Sequence, residues 1–89
     1  MASLLVQQKV KSFEEWKKVF DSVGKVRSSY GGRESQVFRN ADDPNSVTVM
    51  VKWDSAANAR KWAQSPEMKE ALQKAGVEGI PAINILNEA

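Results

Sequence analysis

The 89-residue chain has no cysteine and no histidine. The first absence excludes disulfides and thiolate chemistry; the second removes the commonest general base and the commonest transition-metal ligand. Any chemistry must come from carboxylates, amides, hydroxyls, Arg, Lys, Tyr or Trp, and neither a metal site nor a cofactor is expected. Charge of one sign is also lacking. Thirteen Lys and Arg against 11 Asp and Glu leave +2, and the signs are interspersed. A nucleic-acid binder of this size usually gathers its cations, whereas Lys17-Lys18 sits among Glu14, Glu15 and Asp21. Apolar runs stay far below the roughly 20 residues of a membrane span, and residues 1–6 lack a basic segment ahead of an apolar core. The expectation is a cytoplasmic protein with no nucleic-acid or membrane partner.

What is present is periodic. Val47 to Trp53 alternates with period two, is rich in β-branched residues and follows the turn Asp42-Asp43-Pro44-Asn45, which makes it the candidate central strand. Val47, Val49, Val51 and Trp53 share one face; Thr48, Met50 and Lys52 share the other. Leu4 to Val10 alternates in the same way. Ser12-Phe13-Glu14-Glu15 fits a capping box, and Phe13, Trp16, Phe20 and Val23 form the stripe of an amphipathic helix running to Ser28 or Tyr30, where Gly31-Gly32 stops it. Arg33 to Arg39 is a polar, edge-like strand. Ser55 opens a further helix with Ala56, Ala59 and Trp62, and Ser65-Pro66-Glu67 starts another, with Ser as N-cap and Pro at the first position. Val77 to Pro81 reads as a turn and Ala82 to Leu86 as the last strand.

The order β-α-β-β-α-β, with its second helix broken at Ser65-Pro66, predicts one α+β domain over residues 1–89. Right-handed crossovers and a central hairpin give a ferredoxin-like antiparallel sheet of order 4-1-3-2, both helical segments covering one face. The other face has no cover. Leu5, Phe38, Met50 and Ile83 or Leu86 are too many apolar residues to leave wet, so a second copy is expected there, and two sheets facing each other would enclose a space. A chain this short buries only roughly 60–65% of its surface alone, which favours association further.

Several segments also carry a family resemblance: Gln8-Lys9-Val10-Lys11-Ser12-Phe13-Glu14-Glu15-Trp16, Val37-Phe38-Arg39-Asn40, Trp53-Asp54-Ser55-Ala56, Ser65-Pro66-Glu67-Met68 and Ala75-Gly76-Val77. Across nearly the whole chain the sequence resembles the dimeric α+β barrel superfamily, nearest its small cyclase-like members related to antibiotic biosynthesis monooxygenases. The resemblance implies a homodimer and cofactor-independent oxygenase, isomerase or cyclase chemistry on an aromatic or carbonyl-bearing compound. Relatives of this type often carry a histidine just before the stretch that reads Lys9-Val10-Lys11 here, where this chain has Gln8. Haem-degrading members need a histidine ligand, and there is none.

The candidate ligand-binding residues are Gln8, Phe38, Arg39, Met50, Trp53 and Trp62. Gln8, between Val6 and Val10 on one strand face, needs a hydrogen-bond partner if buried, and a ligand is one option; an exposed strand-end amide is the plainer one. Arg39 suits an anionic or carbonyl oxygen, although an arginine near Asp42 and Asp43 more often makes a surface ion pair. Trp53 and Trp62 either line a pocket or pack beneath the broken helix, and Phe38 and Met50 look across the uncovered sheet face if the set Thr48, Met50 and Lys52, and not the valines, is the one turned to the partner. Trp16 and Phe20 are expected in the core, while Tyr30, the only tyrosine, either closes a cavity or packs on the glycine turn. One reading is therefore a homodimeric pocket for a small hydrophobic ligand, orienting and desolvating it, since the chain has no strong base. The alternative is a non-catalytic structural or binding dimer. An RNA-binding sheet would need a Lys/Arg-Gly-aromatic strand signature that the sequence lacks.

Overall fold

A computed structural model describes residues 2–89. Its elements are β1 (Ala2–Val10), α1 (Phe13–Ser22), α2 (Gly24–Ser29), β2 (Gly32–Arg39), β3 (Ser46–Trp53), α3 (Ala56–Ala63), α4 (Pro66–Lys74) and β4 (Val77–Asn87). The strands form one antiparallel sheet of order β2-β3-β1-β4, which is 4-1-3-2 read from the other edge.

Register decides which residues meet. Leu4 pairs with Val51, Val6 with Val49 and Gln8 with Val47 across β1 and β3. These residues are buried beneath the helices with Trp16, Trp53, Ala59, Trp62 and Met68, and the valines of β3 point to the helical side. Each such valine or leucine contributes about 1.5–3 kcal/mol through burial. The opposite set pairs Leu5 with Met50, Met50 with Gln36, Phe38 with Thr48 and Ser3 with Leu86. This second face carries no helix, and Phe38 and Leu86 are exposed on it. Of the alternatives Ile83 and Leu86, Leu86 lies there; Ile83 pairs with Val6 and belongs to the helical side.

Serine N-caps set the helix starts. The Ser12, Ser55 and Ser65 hydroxyls accept from the backbone N–H groups of Glu15, Asn58 and Met68. Ser65 also donates to the Trp62 carbonyl at 2.7 Å, so one buried hydroxyl ends α3 and begins α4 at the expected break. Glu15 does not complete the capping box. It pairs with Lys18 at 3.4 Å, and the Ser12 hydroxyl turns to Glu14.

Two readings are corrected. The first helical segment is not continuous to Tyr30: Val23, at φ −95° and ψ 9°, separates α1 from α2 just before Gly24, among non-proline residues the poorest helix former. Residues 77–81 are not a free turn. They extend β4 along β1, with Lys9 opposite Glu78 and Val10 opposite Val77, and Gly79-Ile80-Pro81 bulge out opposite Gln8. Gly79 takes φ +71°, and Ile80 is 97% exposed. No helix among the described residues is long and apolar enough to cross a membrane.

Candidate functional site

The sheet and helices do not close completely on one another. Between them lies a cavity of about 60 Å³, floored by Leu4, Val6 and Gln8 of β1 and Val49 and Val51 of β3. Trp16, Val19, Phe20 and Val23 wall one side, Trp62, Met68, Ala71 and Leu72 the other, and Arg27 of α2 also lines it. The walls follow from the helix stripes. Trp16 stacks between Phe13 and Phe20, with ring centroids 5.7 and 5.1 Å away, and this aromatic row spans the cavity side of α1. A surface hollow of about 220 Å³ between the helix pairs shares Val19, Val23 and Ala71 with the cavity.

Two lining residues, Gln8 and Arg27, are polar and buried. The Gln8 side-chain carbonyl has no hydrogen-bond partner. Gln8 descends from β1 into an apolar space because period two puts it on the same face as Val6 and Val10. A buried carbonyl left unpaired costs about 1–3 kcal/mol, so a donor inside the cavity is favoured. The Arg27 guanidinium donates from Nη1 to the Phe20 carbonyl at 3.3 Å and lies 4.1 Å from the Phe20 ring centroid. Burial pushes Arg27 below the ordinary arginine value, and the nearby charge of Asp21 partly opposes the shift.

Tyr30 sits at the edge of this site. Its ring meets Trp62 edge-on at 5.3 Å, and its hydroxyl donates to the Glu67 carboxylate, joining α2 to α4. That bond holds the tyrosine proton and raises the phenol above its ordinary value. Trp53 lies 6.4 Å from Trp62, fully buried, and its indole N–H also lacks a partner.

With that geometry in place, the sequence profile of antibiotic biosynthesis monooxygenases matches residues 6–74. The chain belongs to the antibiotic biosynthesis monooxygenase family. A search of curated proteins gave no significant match. Among solved structures, SnoaB, a cofactor-independent oxygenase from Streptomyces nogalater, superposes with a TM-score of 0.79 at 13% identity, over 99% of this chain and 92% of that one. A Bordetella bronchiseptica protein assigned to the same family gives 0.82 at 13% identity, over 99% and 96%. One from Caulobacter crescentus CB15 gives 0.76 at 21% identity, over 99% and 89%. At these identities the likeness is one of fold.

Within this antibiotic biosynthesis monooxygenase fold the sequence candidates fall on two sides of the sheet. Gln8 and Trp62 meet in the helix-side cavity, and Trp53 backs Trp62 without lining it. Phe38 and Met50 occupy the open face, where Met50 and Lys52 border shallow hollows of about 340 and 300 Å³. Arg39 lies apart from both groups: its Nε donates to the Pro44 carbonyl at 3.0 Å and its guanidinium covers Phe13 at 4.1 Å. The turn carboxylate of Asp43 takes Lys9 instead, at 3.2 Å. Arg27 escaped the sequence reading, although a signal existed. It continues the stripe of Phe13, Trp16, Phe20 and Val23 at the next helical position, a charge where the period calls for an apolar residue. Among the described residues, no group of three or more carboxylates gathers to hold a metal ion.

Proposed function

We propose that the protein is a homodimeric small-molecule pocket protein of the antibiotic biosynthesis monooxygenase type, with the ligand held between helices and sheet in each copy. The observation that carries this reading is the Gln8 carbonyl, buried and unpaired inside an otherwise apolar cavity. Such an arrangement fixes one end of a ligand by a hydrogen bond and strips water from the rest of it. The chemistry proposed is cofactor-independent oxygenation, isomerisation or cyclisation of an aromatic or carbonyl compound. The chain's part in it is orientation and desolvation, since neither the Gln8 amide nor a guanidinium is a hydrogen-abstracting base of ordinary strength. Family membership supports the oxygenase form.

Pairing through the open sheet face is supported by Leu5, Phe38, Met50 and Leu86, which share that face. Phe38 and Met50 remain proposed as ligand contacts if the space between two sheets is also used; Trp53 and Arg39, which lie on the helical side, remain proposed only for a ligand that reaches past Trp62 or Phe13. The small size of the helix-side cavity, about 60 Å³ against several hundred for a drug-sized site, supports a second reading, a dimer without catalysis.

The test is a thermal-shift screen of small aromatic and carbonyl compounds on the wild type and Gln8→Leu, followed by oxygen-electrode assays of each hit without added metal. Shifts that Gln8→Leu weakens support the pocket, and oxygen uptake supports the oxygenase. Shifts unchanged by Gln8→Leu would remove Gln8 from the site, and hits without turnover would favour the non-catalytic dimer.

A further inference from the structure

Arg27 is a buried charge with no carboxylate in direct contact: Asp21, the nearby anion, pairs with Lys17 at 2.8 Å. Its residue is 9% exposed, yet none of the ion pairs among the described residues includes it. The protein acceptor it reaches is the Phe20 carbonyl, and the Phe20 ring gives the cation a partial substitute for a carboxylate. Neither equals an anion, and an arginine fork retains further N–H donors beyond the one on Phe20. A charge kept from water without a partner is costly, so a site that retains one calls for something to complete it.

The backbone makes room for this side chain. A Cβ on Gly32 would lie 2.9 Å from Arg27 Cγ and 3.0 Å from the Arg27 carbonyl oxygen, closer than packing tolerates. At Gly24 the nearest atom to such a Cβ is Arg27 Nη2, at 3.7 Å. The stem is thus clamped by the start of β2, and its head is kept beside the cavity wall formed by Phe20.

We infer that Arg27 is an anion anchor, and that the helix-side cavity selects small apolar molecules bearing an acidic oxygen, a carboxylate or an enolate, over neutral molecules of the same shape. This rests on the proposal that the cavity binds a small molecule, and it adds the charge of the occupant. The acidic oxygen accepts from the guanidinium fork. A hydroxyl or N–H elsewhere on the molecule, or a water beside it, answers the Gln8 carbonyl. The modest volume restricts the occupant to a few heavy atoms unless α4 moves away from α1.

The experiment is an NMR titration of the full-length protein that follows the Arg27 Nε–H signal. Isobutyrate is compared with isobutyramide, and the enolate of acetylacetone with neutral 3-pentanone. The expected result is that the acidic member of at least one pair binds about tenfold or more tightly than its neutral partner and moves the Arg27 signal. Preference for isobutyrate alone identifies a carboxylate, and preference for acetylacetone alone an enolate. Arg27→Met, which keeps the stem packing on Gly32, is expected to abolish the preference. Equal binding of acidic and neutral members to the wild type would overturn the anchor and leave the pocket standing. No binding by any of the four would overturn the pocket itself and the anchor with it. The wild-type comparison decides even if the variant does not fold.

Discussion

The Tyr30 hydroxyl donates a hydrogen bond to the Glu67 carboxylate across 37 residues of sequence, closing the end of α2 onto the first turn of α4 beside the cavity. The bond needs the phenol proton, so the folded protein holds that proton more tightly than the unfolded chain, whose tyrosine titrates near 10. The sign of the linkage follows. With the folded value raised, the bond's contribution to stability is complete below pH of about 10 and is lost as pH rises through the folded value. Tyr30→Phe is expected to lower the melting temperature at neutral pH, with the difference from wild type shrinking in strong alkali. Because Tyr30 is the only tyrosine, phenolate absorbance reports it directly. A titration midpoint no higher in the folded than in the urea-unfolded protein would count against the bond.

The turn after α2 depends on a missing side chain. Gly31 has φ +111°, and a Cβ there would lie 2.5 Å from Asp54 Oδ1, the atom that accepts from the Asn58 side chain at 3.0 Å. Gly31→Ala therefore costs the backbone strain and turns Asp54 away from Asn58 as well. Gly79→Ala isolates the first term, since Gly79 has φ +71° and open space where its Cβ would be. Urea unfolding is expected to show a loss of about 1–2 kcal/mol for Gly79→Ala and a larger loss for Gly31→Ala. Equal losses would show that Asp54 moves freely.

β1 and β3 were legible because period two survives in both, and in β3 above all: a valine at each alternate position leaves one way to face a helical layer. Helix starts were legible through Ser12, Ser55 and Ser65, whose hydroxyls act locally. The break at Val23 was less so, because a glycine inside a stripe either interrupts a helix or is tolerated by it. The β4 bulge was hidden for a related reason. Gly79 and Pro81 mark a turn in any local reading, and only pairing with β1 on both sides of Gln8 makes them part of a strand. For the site, Gln8 could be singled out as an amide between valines, and Trp62 as an aromatic on a helix stripe. The separation of Phe38 and Met50 from them was not legible until register fixed which face each occupies. Arg27 stands at the next position of the stripe of Phe13, Trp16, Phe20 and Val23, where a charge reads as the polar end of an amphipathic helix unless its burial is known.

Gln8 holds function and stability in opposition. Its carbonyl is buried without a partner, and leucine is close to it in size. Gln8→Leu is expected to stabilise the empty protein by about 1 kcal/mol or to leave it unchanged, while weakening retention of any ligand that donates to the carbonyl. Equilibrium unfolding without ligand measures the first effect and the ligand-dependent thermal shift the second. A marked loss of stability in the empty protein would mean that the amide is satisfied within the fold and serves structure instead.

Met50 tests the proposed dimer without touching the cavity. It stands opposite Leu5 on one side and Gln36 on the other, in the middle of the open face, with the whole thickness of the sheet between it and the helical layer. A glutamate there would have to lose its hydration if two sheets are apposed, and Lys52, which borders the same hollows, already pairs with Glu34 at 3.8 Å. In an isolated chain it would simply face water. The wild type is expected to sediment at twice its 9.9 kDa mass, with a melting temperature that rises with concentration, and Met50→Glu to sediment as the single chain with no such rise. A wild type that stays monomeric at every concentration would remove the dimer. A variant that stays dimeric would move the interface off this face, toward the β4 edge where Ile80 stands out from its bulge.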